Sequence, residues 1–371
     1  MESLANIVAS YDPSAPLAQA STIPAPWYTD SRLAELERQA VFSRSWQMVA
    51  RAEQLAEPGQ YVTAEVANEP VVVVRGGDGV LRAFFNVCRH HAAAVMTEPA
   101  GKAPYLRCPY HGWTYSLEGT LKGVPEFDGV CDFDRAKNGL VAITLATWEN
   151  FVFVHLAPDP PSLSQFLGDL VEQFRPLEVS KLHFIERREY FLQCNWKVFV
   201  DNFLDGGYHV PHLHKGLNSV LEYKHYTIQN FERFSLQSSP LQSSGDQGIA
   251  AVRKGQALYY WVYPNLMLNW YEGYLETNLV IPLAIDRMKV VFDFYLADSG
   301  EAARERNRQS IGVSDRIQME DQAICESVQR GLASRAYRAG RLSVRREAGE
   351  HLFHRLLHAD LKRGLEHAAA G

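Results

Sequence analysis

"CRHHAAAVMTEPAGKAPYLRCPYHGW", Cys88 to Trp113, sets a Cys-x-His pair and a Cys-x-x-His pair on either side of a loop. Four sulfur and nitrogen donors at such short spacing make a metal cage. Zinc takes Cys and His tetrahedrally and would make the stretch a structural finger. A [2Fe-2S] cluster in which two His replace two Cys on one iron uses the same donors. The Cys88-x-His90 gap is tighter than the about two to four residues usual in zinc hairpins. One Cys and one His per loop suits two irons, one held by both sulfurs and the other by both imidazoles. The spacing alone leaves both chemistries open. In the iron case the neutral imidazoles lower the negative charge on the cluster and raise its potential, to roughly −150 to +300 mV, which makes it an electron relay.

Around this cage lies an ordinary globular chain of 371 residues, 46% hydrophobic, long enough for two domains. A net charge of −6 argues against nucleic acid as a partner. The opening MESLANIVASYDPSAP has no basic leader and no long apolar core, and no apolar run reaches the about 18 residues of a membrane helix. A cytoplasmic protein with no membrane partner is expected. Five cysteines are an odd count for a disulfide framework; Cys131, Cys194 and Cys325 have no histidine company and read as small buried side chains. From Trp46 to His155 short apolar runs broken by Asn-Glu-Pro and Gly-Gly-Asp-Gly predict an all-β unit, and the proline-rich joint LAPDPPSLS, Leu156 to Ser164, opens a second region of helices and aromatic strands.

A relay needs a destination, and "NWKVFVDNFLDGGYHVPHLHKGL", Asn195 to Leu217, supplies one. Trp196, Phe199, Val200, Phe203 and Leu204 recur at helical spacing, with Asp201, Asp205 and His209 every fourth residue on the other side. His214 lies five residues past His209, which on an unbroken helix turns it about 140° away. Pro211 breaks the helix and Gly206 and Gly207 loosen the turn, so that both imidazoles can meet at one ion. Two histidines and a carboxylate form the facial triad of non-haem Fe(II) oxygenases, with positions left open for dioxygen and substrate.

The carboxylate is sought far along the chain. In "SDRIQMEDQAICESVQRGLAS" the apolar stripe is read as Ile317, Ile324, Val328 and Leu332. At about 100° per residue Asp321 falls inside it and Glu320 at its edge, so Asp321 is the candidate ligand. Lone helical histidines are more often satisfied core or surface residues, and His212, His225, His351, His354 and His358 are read so.

The flanks "CPYHGW" and "CRHH" resemble the Rieske non-haem iron oxygenase α subunits, with Cys88, His90, Cys108 and His111 on the family's cluster-ligand positions and His91 a neighbour. The resemblance extends over nearly the whole chain. It implies an α+β protein: an N-terminal helical segment (1–45) packing on the catalytic domain, an all-β Rieske [2Fe-2S] domain (46–155), and a catalytic domain (156–371) with a helix-grip fold, an antiparallel sheet around the iron helix. It also implies a mononuclear Fe(II) held by His209, His214 and Asp321, O2 as co-substrate, a separate reductase or ferredoxin as electron donor, and a head-to-tail homotrimer. A carboxylate then bridges the cluster histidine of one chain to the iron histidine of the next. The usual place, three residues before the first iron histidine, is Gly206 here; Asp205, four before, takes the role, with Asp201 as runner-up.

Within that family the stretches "WKVFVDNFLDGGYHVPHLHKGL" and "YPNLMLNWYEGYLETNLVIPL" look most like choline monooxygenase and its bacterial relatives. That likeness implies hydroxylation beside a quaternary ammonium. Its physical counterpart is an aromatic cage, worth about 2 kcal/mol or more to a desolvated cation. Tyr259, Trp261 and Tyr263 alternate onto one strand face, Trp270 and Tyr271 follow, and Glu272 and Glu276 lie close in sequence. Aromatics in strands are more often core than cage. Two other functions compete: an aromatic ring-hydroxylating oxygenase with an extended apolar slot, and a zinc-stapled or electron-carrying metalloprotein in which His209, His214 and Asp321 have no role.

Overall fold

The computed structural model describes residues 2–242 and 245–370, with side chains to 368. The chain divides into two compact units, one of Arg38–Phe166 and one joining residues up to Glu37 with those from Leu167 onward. The expected boundaries at 45/46 and 155/156 therefore move: residues 38–45 and the proline-rich joint belong to the first unit. For the joint the reason is visible in Trp46, whose Nε1 donates to the Pro161 carbonyl at 2.9 Å, and for the earlier boundary in Arg38, whose Nη1 donates to the Ala67 carbonyl at 3.2 Å.

The Arg38–Phe166 unit is built on antiparallel strands, as the turn punctuation predicts. Its seven-stranded sheet has the order Gln47–Arg51, Phe151–His155, Ala142–Trp148, Leu81–Phe85, Glu69–Arg75, Gln60–Val66, Ala100–Lys102. Val71 to Val74 are buried on both faces, which is why that run is apolar without alternation. A three-stranded sheet, Leu106–Arg107, Thr114–Tyr115 and Leu121–Gly123, carries the second Cys/His loop.

In the other unit a seven-stranded antiparallel sheet has the order His183–Leu192, Arg287–Leu296, Tyr274–Ala284, Leu266–Tyr271, Gln256–Val262, Phe234–Pro240, Thr227–Asn230. Against it pack the helices Trp196–Leu204, Arg304–Leu332 and Ala348–Ala370. Trp196–Leu204 starts at Asn195, whose side chain accepts from Lys197 N–H, and it buries Trp196, Phe199, Val200 and Leu204 as the periodicity requires. The N-terminal segment is tied to this unit: Tyr28 donates to Asp201 Oδ2 at 2.5 Å, and Trp196 Nε1 to Glu37 Oε2 at 2.7 Å. Cys194 and Cys325 are buried, as expected of small apolar side chains, whereas Cys131 is exposed on a loop. No helix among the described residues is long and apolar enough to cross a membrane.

Candidate metal centres and the cavity beside one of them

The two Cys/His loops have the same backbone. In each, the cysteine N–H bonds the carbonyl five residues on (Ala93, 2.8 Å; Trp113, 2.9 Å), and the cysteine carbonyl accepts from the N–H four residues on (Ala92, 3.0 Å; Gly112, 3.1 Å). The fourth position turns left-handed in both, φ 60° at Ala92 and 74° at Gly112. Both cysteines are buried, while His91 and His111 lie at the surface. His90 and His111 ring centroids are 4.7 Å apart, and His90 stacks on the buried Trp113 at 4.7 Å. His90 Nδ1 is buried with no hydrogen-bond partner, and burial pushes the Cys108 thiol up. An orphaned imidazole nitrogen beside two buried thiols is what a metal cluster satisfies.

The second centre forms where Trp196–Leu204 ends. The sequence reading gave the break to Pro211; instead Gly206 and Gly207 make it, at φ 67° and 68°, and Pro211 sits in the first turn of a new short helix, Val210–Leu213. Proline is at home there because a first-turn N–H has no intrahelical partner. A Cβ on Gly206 would run into the Arg346 carbonyl oxygen, so only glycine fits. The two-glycine turn swings His209 and His214 together, ring centroids 4.8 Å apart at 82°.

His209, His214 and Asp321 each bring one ligand atom within 4.8 Å of the others. Asp321 Oδ1 lies 3.0 Å from His214 Nε2 and 3.8 Å from His209 Nε2, and it accepts from Asn202 Nδ2 at 2.8 Å. The opposite ring nitrogens are taken by other carboxylates: His209 Nδ1 faces Asp205 Oδ2 at 2.6 Å, and His214 Nδ1 faces Glu320 Oε2 at 2.6 Å. Burial works against a charged His214 ring, yet Asp321 and Glu320 outweigh it and raise its pKa. Such a site is short of positive charge, and both Nε2 atoms are oriented as metal-binding imidazoles are oriented by second carboxylates. The residues fit a divalent ion.

The helical stripe that pointed to Asp321 was misread. From Ser314 onward on Arg304–Leu332 the buried positions are Ser314, Gln318, Cys325 and Leu332, while Ile324 and Val328 are exposed. Asp321 still falls on the buried side, 14% exposed at its side chain against 45% for Glu320. Asp201 points elsewhere, to Tyr28 and to His354 Nε2 at 3.0 Å. Glu320 on His214 was missed; only its place beside Asp321 in the acidic pair hinted at it.

A cavity of about 120 Å³ opens beside His209, His214 and Asp321. Tyr226, Tyr259 and Tyr271 line it, the last two with hydroxyls 2.9 Å apart. Of the five expected cage residues, Tyr259 and Tyr271 reach it. Trp261 and Tyr263 share the strand face of Tyr259 but lie farther along, under the helix Ala348–Ala370: Trp261 packs on Phe353 at 5.4 Å, and Tyr263 donates to Asp360 Oδ2 at 2.7 Å. Trp270 alternates away from Asn269 and Tyr271, which both line the cavity. Glu272 is exposed and Glu276 buried. Glu276 accepts from Tyr274 at 2.8 Å, Asn278 at 2.9 Å, Asn269 at 3.2 Å and Ser314. Arg253, unforeseen, also lines the cavity: its guanidinium lies 3.8 Å from the Tyr274 ring centroid and donates to Ser314 Oγ at 2.9 Å.

Compared with known proteins, residues 45–136 match the Rieske [2Fe-2S] domain and residues 179–362 the catalytic domain of the ring hydroxylating alpha subunit. The chain is 40% identical to the chloroplastic choline monooxygenase of Arabidopsis thaliana, over 97% of this chain and 87% of that protein. The chain is a Rieske oxygenase α subunit. As a Rieske non-haem iron oxygenase it takes a Rieske [2Fe-2S] cluster and a mononuclear iron. It is also 33% identical to the carnitine monooxygenase oxygenase subunit of Escherichia coli (strain K12), over 86% of each chain. Among solved structures, a quaternary ammonium Rieske monooxygenase studied for carnitine oxidation by gut microbiota and inter-subunit electron transfer superposes with a TM-score of 0.83 at 28% identity, covering 92% of this chain and 95% of that one. A naphthalene 1,2-dioxygenase from Rhodococcus sp. shares the fold, with a TM-score of 0.77 at 20% identity over 92% and 94% of the two chains. Membership in the family sets aside the zinc-stapled alternative.

Proposed function

We propose that this Rieske oxygenase hydroxylates a small quaternary ammonium compound, with choline the first candidate. The observation that carries the reading is the cavity beside the histidine pair, with Tyr226, Tyr259, Tyr271 and the buried carboxylate of Glu276 on its wall. Ring faces and a fixed negative charge attract a desolvated cation. The relatives in Arabidopsis thaliana and Escherichia coli are named for choline and carnitine, which have a quaternary ammonium in common. About 120 Å³ is small beside the ~300–1,000 Å³ of pockets for drug-sized ligands, which favours a small substrate over an extended aromatic one.

In this reading Cys88, His90, Cys108 and His111 hold the cluster, and His209, His214 and Asp321 hold the iron. The cluster would relay electrons and the ferrous ion would activate dioxygen, so that one oxygen atom enters the substrate and the other leaves as water with two electrons and two protons. The chain's own groups orient and exclude. Asn202 fixes Asp321, Glu320 fixes the His214 ring, and the tyrosines keep water from the substrate's methyl groups. Asp205, which accepts at His209 Nδ1, has a second lone-pair side with which to accept from a cluster histidine of the adjoining subunit. That role requires a head-to-tail homotrimer, with a separate reductase or ferredoxin as donor. Cys131, Cys194 and Cys325, none of them in a disulfide, suit a cytoplasmic setting.

Oxygen uptake with a generic reductase tests the substrate. Choline should stimulate uptake, and its uncharged isostere, with carbon in place of nitrogen, should turn over at least tenfold more slowly if the cation contact contributes about 1.4 kcal/mol. Equal turnover of the two, or oxidation of a simple aromatic acid and none of choline, would move the enzyme to ring hydroxylation.

A further inference from the structure

A second cavity, of about 180 Å³, lies in the catalytic unit with Asn202 on the wall of both. Two acids line it: Asp201, from the helix Trp196–Leu204, and Glu350, from the helix Ala348–Ala370. The rest of its lining includes Tyr28 and Tyr337 with the apolar Val198, Ile324, Val328 and Leu332. Asp201 is partnered by Tyr28 and His354. Glu350 is not. It is 5% exposed, it accepts no hydrogen bond among the described residues, and its nearest ion-pair partner, His354 Nε2 at 3.8 Å, already faces Asp201 at 3.0 Å. The buried Lys197 is committed to Glu37. Burial, then the carboxylates of Asp201, Glu347 and Asp205, raise the Glu350 pKa well above its ordinary value.

A buried carboxyl on a cleft wall, whose one basic neighbour His354 lies closer to Asp201, is an incomplete arrangement. Asp201, Glu350 and His354 each bring a ligand atom within 4.8 Å of the others, but a bare metal ion there would leave the tyrosine and aliphatic walls without a partner. An ion that carries its charge among methyl or methylene groups uses both the acids and the walls. We infer that the cleft over Asp201 and Glu350 is a second binding site for a small organic ammonium cation, separate from the catalytic cavity. It does not depend on the substrate assignment, because none of its lining residues except Asn202 belongs to that cavity.

Equilibrium dialysis of labelled choline, repeated with tetramethylammonium, against the anaerobic, cluster- and iron-loaded enzyme tests the inference. Two classes of site per chain are expected. Glu350→Gln should weaken one class at least tenfold, and Tyr337→Ala, on the cleft wall, should weaken the same class, both with the cluster spectrum retained; Tyr271→Ala should weaken only the other. If Glu350→Gln does not fold, Tyr337→Ala carries the test. A single class removed by Glu350→Gln supports the cleft and overturns the catalytic-cavity reading. One class removed by Tyr271→Ala alone, or two classes indifferent to both cleft variants, overturns the cleft. A stoichiometric divalent metal lost from purified protein on Glu350→Gln overturns the organic-cation assignment.

Discussion

Glu320 Oε2 lies 2.6 Å from His214 Nδ1, and its sequence neighbour Asp321 lies 3.0 Å from Nε2 of the same ring. Two adjacent acids grip one imidazole from opposite edges, and the division fixes their roles. Asp321→Ala is expected to lose the mononuclear iron and keep the cluster spectrum. Glu320→Ala should retain iron but bind Fe(II) about 10–100-fold more weakly, the usual effect of removing a carboxylate behind a metal-binding histidine. Metal analysis and chelator competition separate the two; loss of iron in Glu320→Ala with retention in Asp321→Ala would reverse the assignment.

Asp205→Asn should leave both centres loaded and the cluster reducible, yet stop turnover, because an amide offers one acceptor where two imidazoles need two. Rapid reduction of the cluster without substrate oxidation is the expected signature. Normal turnover would pass the bridge to water, since Asp201 is held by Tyr28 and His354.

Gly206→Ala is expected to destabilise the catalytic unit and to disorder the iron site together. Its left-handed φ of 67° alone costs a non-glycine residue about 1–2 kcal/mol, before the collision with the Arg346 carbonyl is counted. A melting midpoint several degrees lower, with iron occupancy reduced, is the measurement. At Gly79, also left-handed but with open space for a Cβ, the same change should cost only the backbone term and leave both metals in place.

Glu276→Gln removes the negative charge set against Arg253 through Ser314. The cavity then holds an uncompensated guanidinium, so KM for a cationic substrate should rise about tenfold or more while the neutral isostere is little affected. An equal change for both compounds would mean that Glu276 acts only by holding Asn269, Asn278 and Tyr274.

The candidate cluster and iron histidines were legible in the sequence because short segments bring their donors together: Cys88 with His90, Cys108 with His111, and His209 with His214 across the one-turn helix Val210–Leu213. The paired β-strands of the first unit were legible for the same local reason, in runs such as Glu69–Arg75 punctuated by turns. Which side of Arg304–Leu332 is buried was not, since that depends on what packs against it: Ile324 and Val328 look like core and are exposed, whereas Ser314 and Gln318 look like surface and are buried. Nor could the strand pattern divide Tyr259 from Trp261 and Tyr263. Alternation sets the face, and only the position of the helix Ala348–Ala370 decides where along that face the cavity ends. Glu320 on His214, Arg253 over Tyr274 and Glu350 in its cleft each join residues tens to more than a hundred positions apart. Local chain geometry determined the candidate cysteine and histidine ligands; the approach of Asp321 from 107 positions away, the burial of distant charges and the limits of the cavity came from tertiary packing, because desolvation and contact depend on neighbours that spacing does not specify.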